Sequence, residues 1–221
     1  MKIAMFGGSF NPVHNGHVAL AKAVHEQAGY DKVLFVPAYH SPFKDMPSGA
    51  SDDDRLCMLR LALDGLDWAC VEDCEFKRGG VSYTYDTVEF LVQKYTEAGE
   101  LTGKLGLVIG ADLVEGFHRW HRAEELAEKV DIILARRNLD APVPDATSHL
   151  PFVHYELQNP YVDVSSSGIR AAVHAAVQSA TDSQSGVSGS SQVSAQSAKN
   201  ALLALVPESV CDYILKRGLY D

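Results

Sequence analysis

Two histidines three residues apart, His14 and His17, follow the run Gly7-Gly8-Ser9-Phe10-Asn11-Pro12-Val13, with Gly16 between them. Imidazoles at that spacing can donate hydrogen bonds to one polar group, or exchange protons with it. Paired glycines let backbone N–H groups approach an anion closely, and a helix N-terminus adds partial positive charge. The run lacks the G-x-G-x-x-G spacing of a dinucleotide fingerprint, and no Gly-Lys-Ser/Thr follows to make a P-loop. A metalloprotease helix places its histidines at i and i+4 around a Glu, and no Glu lies between these two. A satisfied structural pair is the plain alternative.

Other candidates are spread along the chain. Lys44 ends a loop holding Pro37 and Pro42, and reads either as a point charge for phosphate or as a solvated surface lysine. Arg136 and Arg137 close an apolar run, and suit a phosphate contact or a basic turn equally. Ser165-Ser166-Ser167 precede Gly168-Ile169-Arg170, which makes a good N-cap or a cradle of hydroxyls, amides and one guanidinium for phosphate. Trp120 sits in Phe117-His118-Arg119-Trp120-His121-Arg122, where on composition it is a core residue before it is a stacking platform. The tryptophan between His118 and His121 speaks against a metal there.

The elements that must position these groups follow from periodicity. Lys2–Phe6, Val33–Val36, Leu105–Ile109 and Ile132–Leu134 are short continuous apolar runs, as expected of strands covered on both faces. Helical spacing recurs from Val18 to a stop at Gly29, and over about residues 51–65, 84–98 and 121–129. Asp52-Asp53-Asp54 open the second of these, where acids favour a helix start. The alternation predicts an α/β fold with a doubly wound, mostly parallel, Rossmann-like sheet and a C-terminal helical segment. Ligands in such folds bind at the carboxyl ends of the strands, and each candidate follows one.

Composition narrows the class. The 221 residues suit one domain, 1–221, with a substantial core. A net charge of −10 argues against general nucleic-acid binding, so positive charge for an anionic ligand must be concentrated locally. No apolar run has membrane-spanning length and no signal peptide is evident, so a cytoplasmic protein without membrane partners is expected. Cys57, Cys70, Cys74 and Cys211 lack the spacing of a zinc site and read as reduced thiols.

The string from Gly7 to His17 resembles the opening signature of nucleotidyltransferases with an H-x-G-H motif, and more narrowly that of bacterial nicotinate-nucleotide adenylyltransferases. The resemblance covers about residues 1–177 and 199–221. It implies that ATP and nicotinate mononucleotide are joined to give nicotinate adenine dinucleotide and pyrophosphate, a step in NAD biosynthesis. By the same resemblance His14 and His17 are catalytic. Gly7, Gly8, Ser9, Phe10, Gly16, Arg136, Ser166, Ser167 and Arg170 bind ATP, and Mg2+ accompanies the triphosphate without a protein cage of its own. Lys44, Thr84, Asp112 and Trp120 bind the mononucleotide. Here the Ser82-Tyr83-Thr84 loop receives the pyridine carboxylate on its amides, and Trp120 stacks on the ring. Phe43 stands where relatives often carry His, and Ser167 where they carry Thr.

Residues 178–198 depart from the resemblance. They are dominated by Ser, Gln, Ala and Gly, which predicts a flexible insert. Phosphopantetheine adenylyltransferase is the nearest alternative but should lack the Trp120 segment and this Ser82–Thr84 loop. A cytidylyltransferase is more distant. From another class, a non-catalytic nucleotide sensor has no need of His14, His17, Lys44 and Arg170 together.

Overall fold

Continuous Val-, Leu- and Ile-rich runs build the centre of the protein. The computed structural model describes residues 1–39, 49–135, 155–158, 164–182, 199–200 and 202–220. Six strands, β1 (Ile3–Gly8), β2 (Lys32–Pro37), β3 (Ala69–Val71), β4 (Leu105–Gly110), β5 (Val130–Ala135) and β6 (Tyr155–Glu156), form one sheet in the order β3-β2-β1-β4-β5-β6. Every neighbouring pair is parallel. The expected strands at 33–36, 105–109 and 132–134 fall inside β2, β4 and β5. β3 and β6 were not expected. They are three and two residues long, only partly buried, and too short to carry a pattern.

The described helices are α1 (Asn15–Ala28), α2 (Asp52–Leu63), α3 (Cys74–Arg78), α4 (Thr84–Glu97), α5 (Ala111–Val114), α6 (Ala123–Lys129), α7 (Ser166–Asp182) and α8 (Glu208–Arg217). The chain runs β1, β2, β3 outward on one side, then returns to the other side of β1 for β4. That reversal makes the carboxyl ends of β1 and β4 a topological switch point, where sheets of this kind bind ligands. Gly7 and Gly8 end β1, and Gly110 ends β4.

The chain divides into two compact units. The first takes in residues 1–9, 18–46 and 65–162, and so holds the sheet. One face of its strands contributes Ile3, Met5, Leu34, Val36, Leu105, Leu107, Ile109, Ile132 and Leu134 to a core. Tyr85, Val88, Leu91 and Tyr95 of α4 and Leu126 of α6 complete that core at helical spacing. On the opposite face Ala4, Val33, Phe35 and Ile133 are fully buried too, the reason these strands read as unbroken apolar runs.

The second unit takes in residues 10–17, 47–64 and 163–221. Ser51 caps α2 in a reciprocal box with Asp54, a firmer start than its acids alone imply. Asp54 also accepts from the Tyr213 hydroxyl at 2.9 Å and from Arg217 Nε at 3.3 Å, which joins α8 to α2. Burial works against ionisation of this carboxyl. The hydrogen bonds from Ser51 and Tyr213 and the Arg217 charge outweigh it and hold the pKa below the usual value. α7 continues to Asp182, so the first residues of the expected insert are helical, and 183–198 lie outside the described residues.

Candidate functional site

In the second unit the two histidines fix one another. The His14 N–H donates to His17 Nδ1 at 3.2 Å, and the His17 N–H donates to His14 Nδ1 at 3.3 Å. The same His17 N–H also donates to the His14 carbonyl at 2.9 Å. A ring nitrogen that accepts a hydrogen bond carries no proton, so these contacts favour the Nε2–H form of each ring. The rings stack 3.5 Å apart at 19°, and the Phe10 ring meets His17 edge-on at 4.9 Å. Phe10 pays for this position with a left-handed backbone, φ 45°.

Gly16 is bare for a reason of space. A Cβ there would lie 2.9 Å from Val164 Cγ1 and 3.1 Å from His14 Nδ1. The loop before His14 is held from far along the chain. The Ser166 hydroxyl donates to the Pro12 carbonyl at 2.9 Å, and Arg170 Nη1 donates to the Asn11 carbonyl at 2.6 Å. Ser165, rather than Ser166 or Ser167, caps α7, its hydroxyl accepting from the Gly168 N–H at 3.1 Å. His14, His17, Phe10, Gly16, Ser166 and Arg170 are thus brought together, and Ser167 stands in the first turn of the same helix.

In the first unit Thr84, Asp112 and Trp120 are placed by β4 and α4. Thr84 is the first helical residue of α4, not its cap. Tyr83 takes the cap position and makes no side-chain cap hydrogen bond. Two residues before Thr84, the buried Ser82 hydroxyl has no hydrogen-bond partner among the described residues, which is a cost in a folded protein. Tyr83 and Tyr85, on either side of Thr84, pack on the residues after Trp120. The Tyr83 ring lies 4.5 Å from His121, and the Arg122 guanidinium lies 3.9 Å over Tyr85. These contacts join the start of α4 to the residues that follow Trp120.

Trp120 packs on the edge of the core. It is half-buried, leaning on the core with its ring 5.2 Å from Phe117. Asp112 follows the end of β4, its Oδ1 filling the space a Cβ on Gly110 would occupy. Gly7 is not cramped in that way, since a Cβ there would meet only Met5 Cε at 3.5 Å. Lys44, Arg136 and Arg137 lie outside the described residues. Tyr39 leads toward Lys44, and its N–H donates at 3.3 Å to Glu75, a buried carboxylate that also accepts from Thr87 at 2.8 Å. Sequence reasoning missed Glu75, which lies in a helix too short to announce itself.

The cysteines are all free thiols. Burial, helped by the charges of Glu72 and Glu75, pushes the Cys74 thiol up to about 12, which leaves it unreactive. Among the described residues no group of three or more His, Cys, Asp or Glu could hold a metal ion. No described helix is long and apolar enough to cross a membrane.

A family model described as cytidylyltransferase-like matches residues 5–172, a span that includes every residue named above from Gly7 to Arg170. A protein of Treponema pallidum named "Probable nicotinate-nucleotide adenylyltransferase" is 40% identical over 227 aligned residues, spanning 100% of this chain and 99% of its own. This chain belongs to the nicotinate-nucleotide adenylyltransferase family. A Streptococcus pyogenes member bearing the same name is 33% identical, over 100% of this chain and 89% of its own. Among solved structures, the Plasmodium falciparum nicotinic acid mononucleotide adenylyltransferase complexed with NaAD matches with a TM-score of 0.72 at 17% identity, covering 100% of this chain and 97% of that one. That likeness supports the fold.

Proposed function

We propose that this protein joins ATP to nicotinate mononucleotide, releasing pyrophosphate and forming nicotinate adenine dinucleotide for NAD biosynthesis. The observation that carries the reading is the reciprocal His14–His17 pair, with both Nδ1 atoms occupied by backbone donors. An oxygen of the mononucleotide 5′-phosphate attacks the α-phosphorus of ATP in line. The new P–O bond forms as the bond from the α-phosphorus to the bridging oxygen breaks, and that electron pair leaves with pyrophosphate. The attacking phosphate is already anionic, so no strong general base is required. Catalysis rests on alignment and on charge stabilisation at the α-phosphorus. The Nε2–H groups of His14 and His17 donate to the phosphate oxygens as the five-coordinate centre forms.

We assign each contributing residue a role. Gly7, Gly8, Ser9, Phe10 and Gly16 shape the turn around the ATP phosphates. Ser167 and Arg170 hold the outer phosphates at the start of α7. Ser166 spends its hydroxyl proton on Pro12, so we assign it a contact through its backbone N–H. Arg136 serves the ATP side and Lys44 the mononucleotide phosphate. Thr84 and its neighbouring amides receive the pyridine carboxylate, Trp120 stacks on the ring, and Asp112 binds the ribose. A divalent cation, which we assign as Mg2+, enters bound to the triphosphate and neutralises it.

We further place the protein in the cytoplasm and treat residues 1–221 as one functional domain. The family match runs continuously through segments of both compact units.

Pyrophosphate release with ATP and Mg2+ tests the reading, with nicotinate mononucleotide, nicotinamide mononucleotide and phosphopantetheine offered in parallel. Preference for nicotinate mononucleotide is expected. Turnover with phosphopantetheine alone would overturn the substrate assignment, and release with none would favour a nucleotide sensor.

A further inference from the structure

The penultimate residue of the chain is buried against the loop that carries the first histidine. Tyr220 is 6% exposed, and its hydroxyl donates to Oδ1 of the fully buried Asn11 at 2.7 Å. Tyr220 adopts a left-handed backbone, φ 71°, a costly conformation for a residue with a Cβ. Its ring lies over Gly49, where a Cβ would come within 2.8 Å of Cδ1. Such strain persists only where the surroundings over-determine it.

Asn11 is held on two sides. Its side chain takes the Tyr220 proton, and its carbonyl takes a proton from Arg170 at 2.6 Å. Further along the same segment, the Asn15 N–H donates to the Leu205 carbonyl at 2.9 Å. His14 lies between these two anchors. Its ring carries the reciprocal bond to His17, so a loop free to shift at Asn11 would carry the Nε2 donor away from its working position.

We propose that Tyr220 is a positioning residue for the adenylyl transfer, its hydroxyl fixing through Asn11 the segment that presents His14. The inference rests on the reaction assigned above. Tyr220 touches neither substrate; it acts by holding the segment still. Substrate binding relies on many contacts and tolerates a small shift, whereas transition-state donors do not.

The test is Tyr220→Phe, which removes one hydroxyl and keeps the ring, assayed for pyrophosphate release beside the wild type, Asn11→Leu and the double variant. The expected result is a fall in kcat of roughly tenfold with KM for ATP nearly unchanged. The double variant should lose no more than the worse single one, because the two side chains act as one unit. Should Asn11→Leu fail to fold, the kcat and KM of Tyr220→Phe alone decide the matter. An active wild type with unchanged kcat in Tyr220→Phe would overturn the positioning role. So would losses that multiply in the double variant, or a lowered Tm with kcat intact at 25 °C. An inactive wild type would overturn the assigned reaction instead.

Discussion

Replacing His17 by Ala separates catalysis from folding with the widest margin. The substitution removes the acceptor of the His14 N–H, worth about 1 kcal/mol, and the ring contacts with Phe10 and His14, worth about 1 kcal/mol each. A loss of about 3 kcal/mol lowers Tm by about 6–12 °C in a chain of this length. Against a domain stability of about 5–15 kcal/mol, more than ~95% of the protein stays folded at 25 °C. The rate should fall much further. A donor aimed at developing phosphate charge contributes about 10²–10³ in kcat. We therefore expect Tm to drop by about 6–12 °C, KM for ATP to change little, and kcat to fall at least about a hundredfold. The assay is continuous pyrophosphate release at saturating ATP and mononucleotide, paired with thermal unfolding of the same preparation. A kcat within threefold of wild type, on the scale where a lost donor costs about 10², would falsify the assignment of His17 as a transition-state donor.

Two further substitutions probe the other parts of the argument. Trp120→Ala should raise KM for the mononucleotide by about tenfold, since stacking on an aromatic ring contributes about 1–3 kcal/mol, whereas Trp120→Phe should recover most of it; an unchanged KM in the alanine variant would return Trp120 to a purely structural role. Asp54→Asn should cost about 2 kcal/mol at neutral pH, because charged acceptor bonds from Ser51, Tyr213 and Arg217 are weakened. The folded Asp54 pKa lies below its unfolded value, so the stabilisation is fully present above about pH 4 and is lost as pH falls through the folded value. Urea unfolding of both proteins between pH 3 and pH 7 should show the gap closing in acid, and an equal gap at both ends would refute the linkage.

Local pattern alone determined much of this protein. Strands buried on both faces must be apolar at every position, so β2, β4 and β5 were legible as runs, and α4 and α6 as periodic stripes. The residues of the H-x-G-H string and of Ser165–Arg170 were legible as well, because a glycine turn or serine cap states its chemistry within a few residues. The tertiary structure decided what depends on distant partners. Which ring nitrogen of His14 and of His17 faces a backbone donor follows from the folded turn. That Ser166 spends its hydroxyl proton on Pro12, and that Glu75 receives Tyr39 and Thr87, follows from contacts no sequence window contains. Tyr220 is the extreme case: its partner, Asn11, is 209 residues away, and no periodicity or propensity encodes a hydrogen bond across that separation.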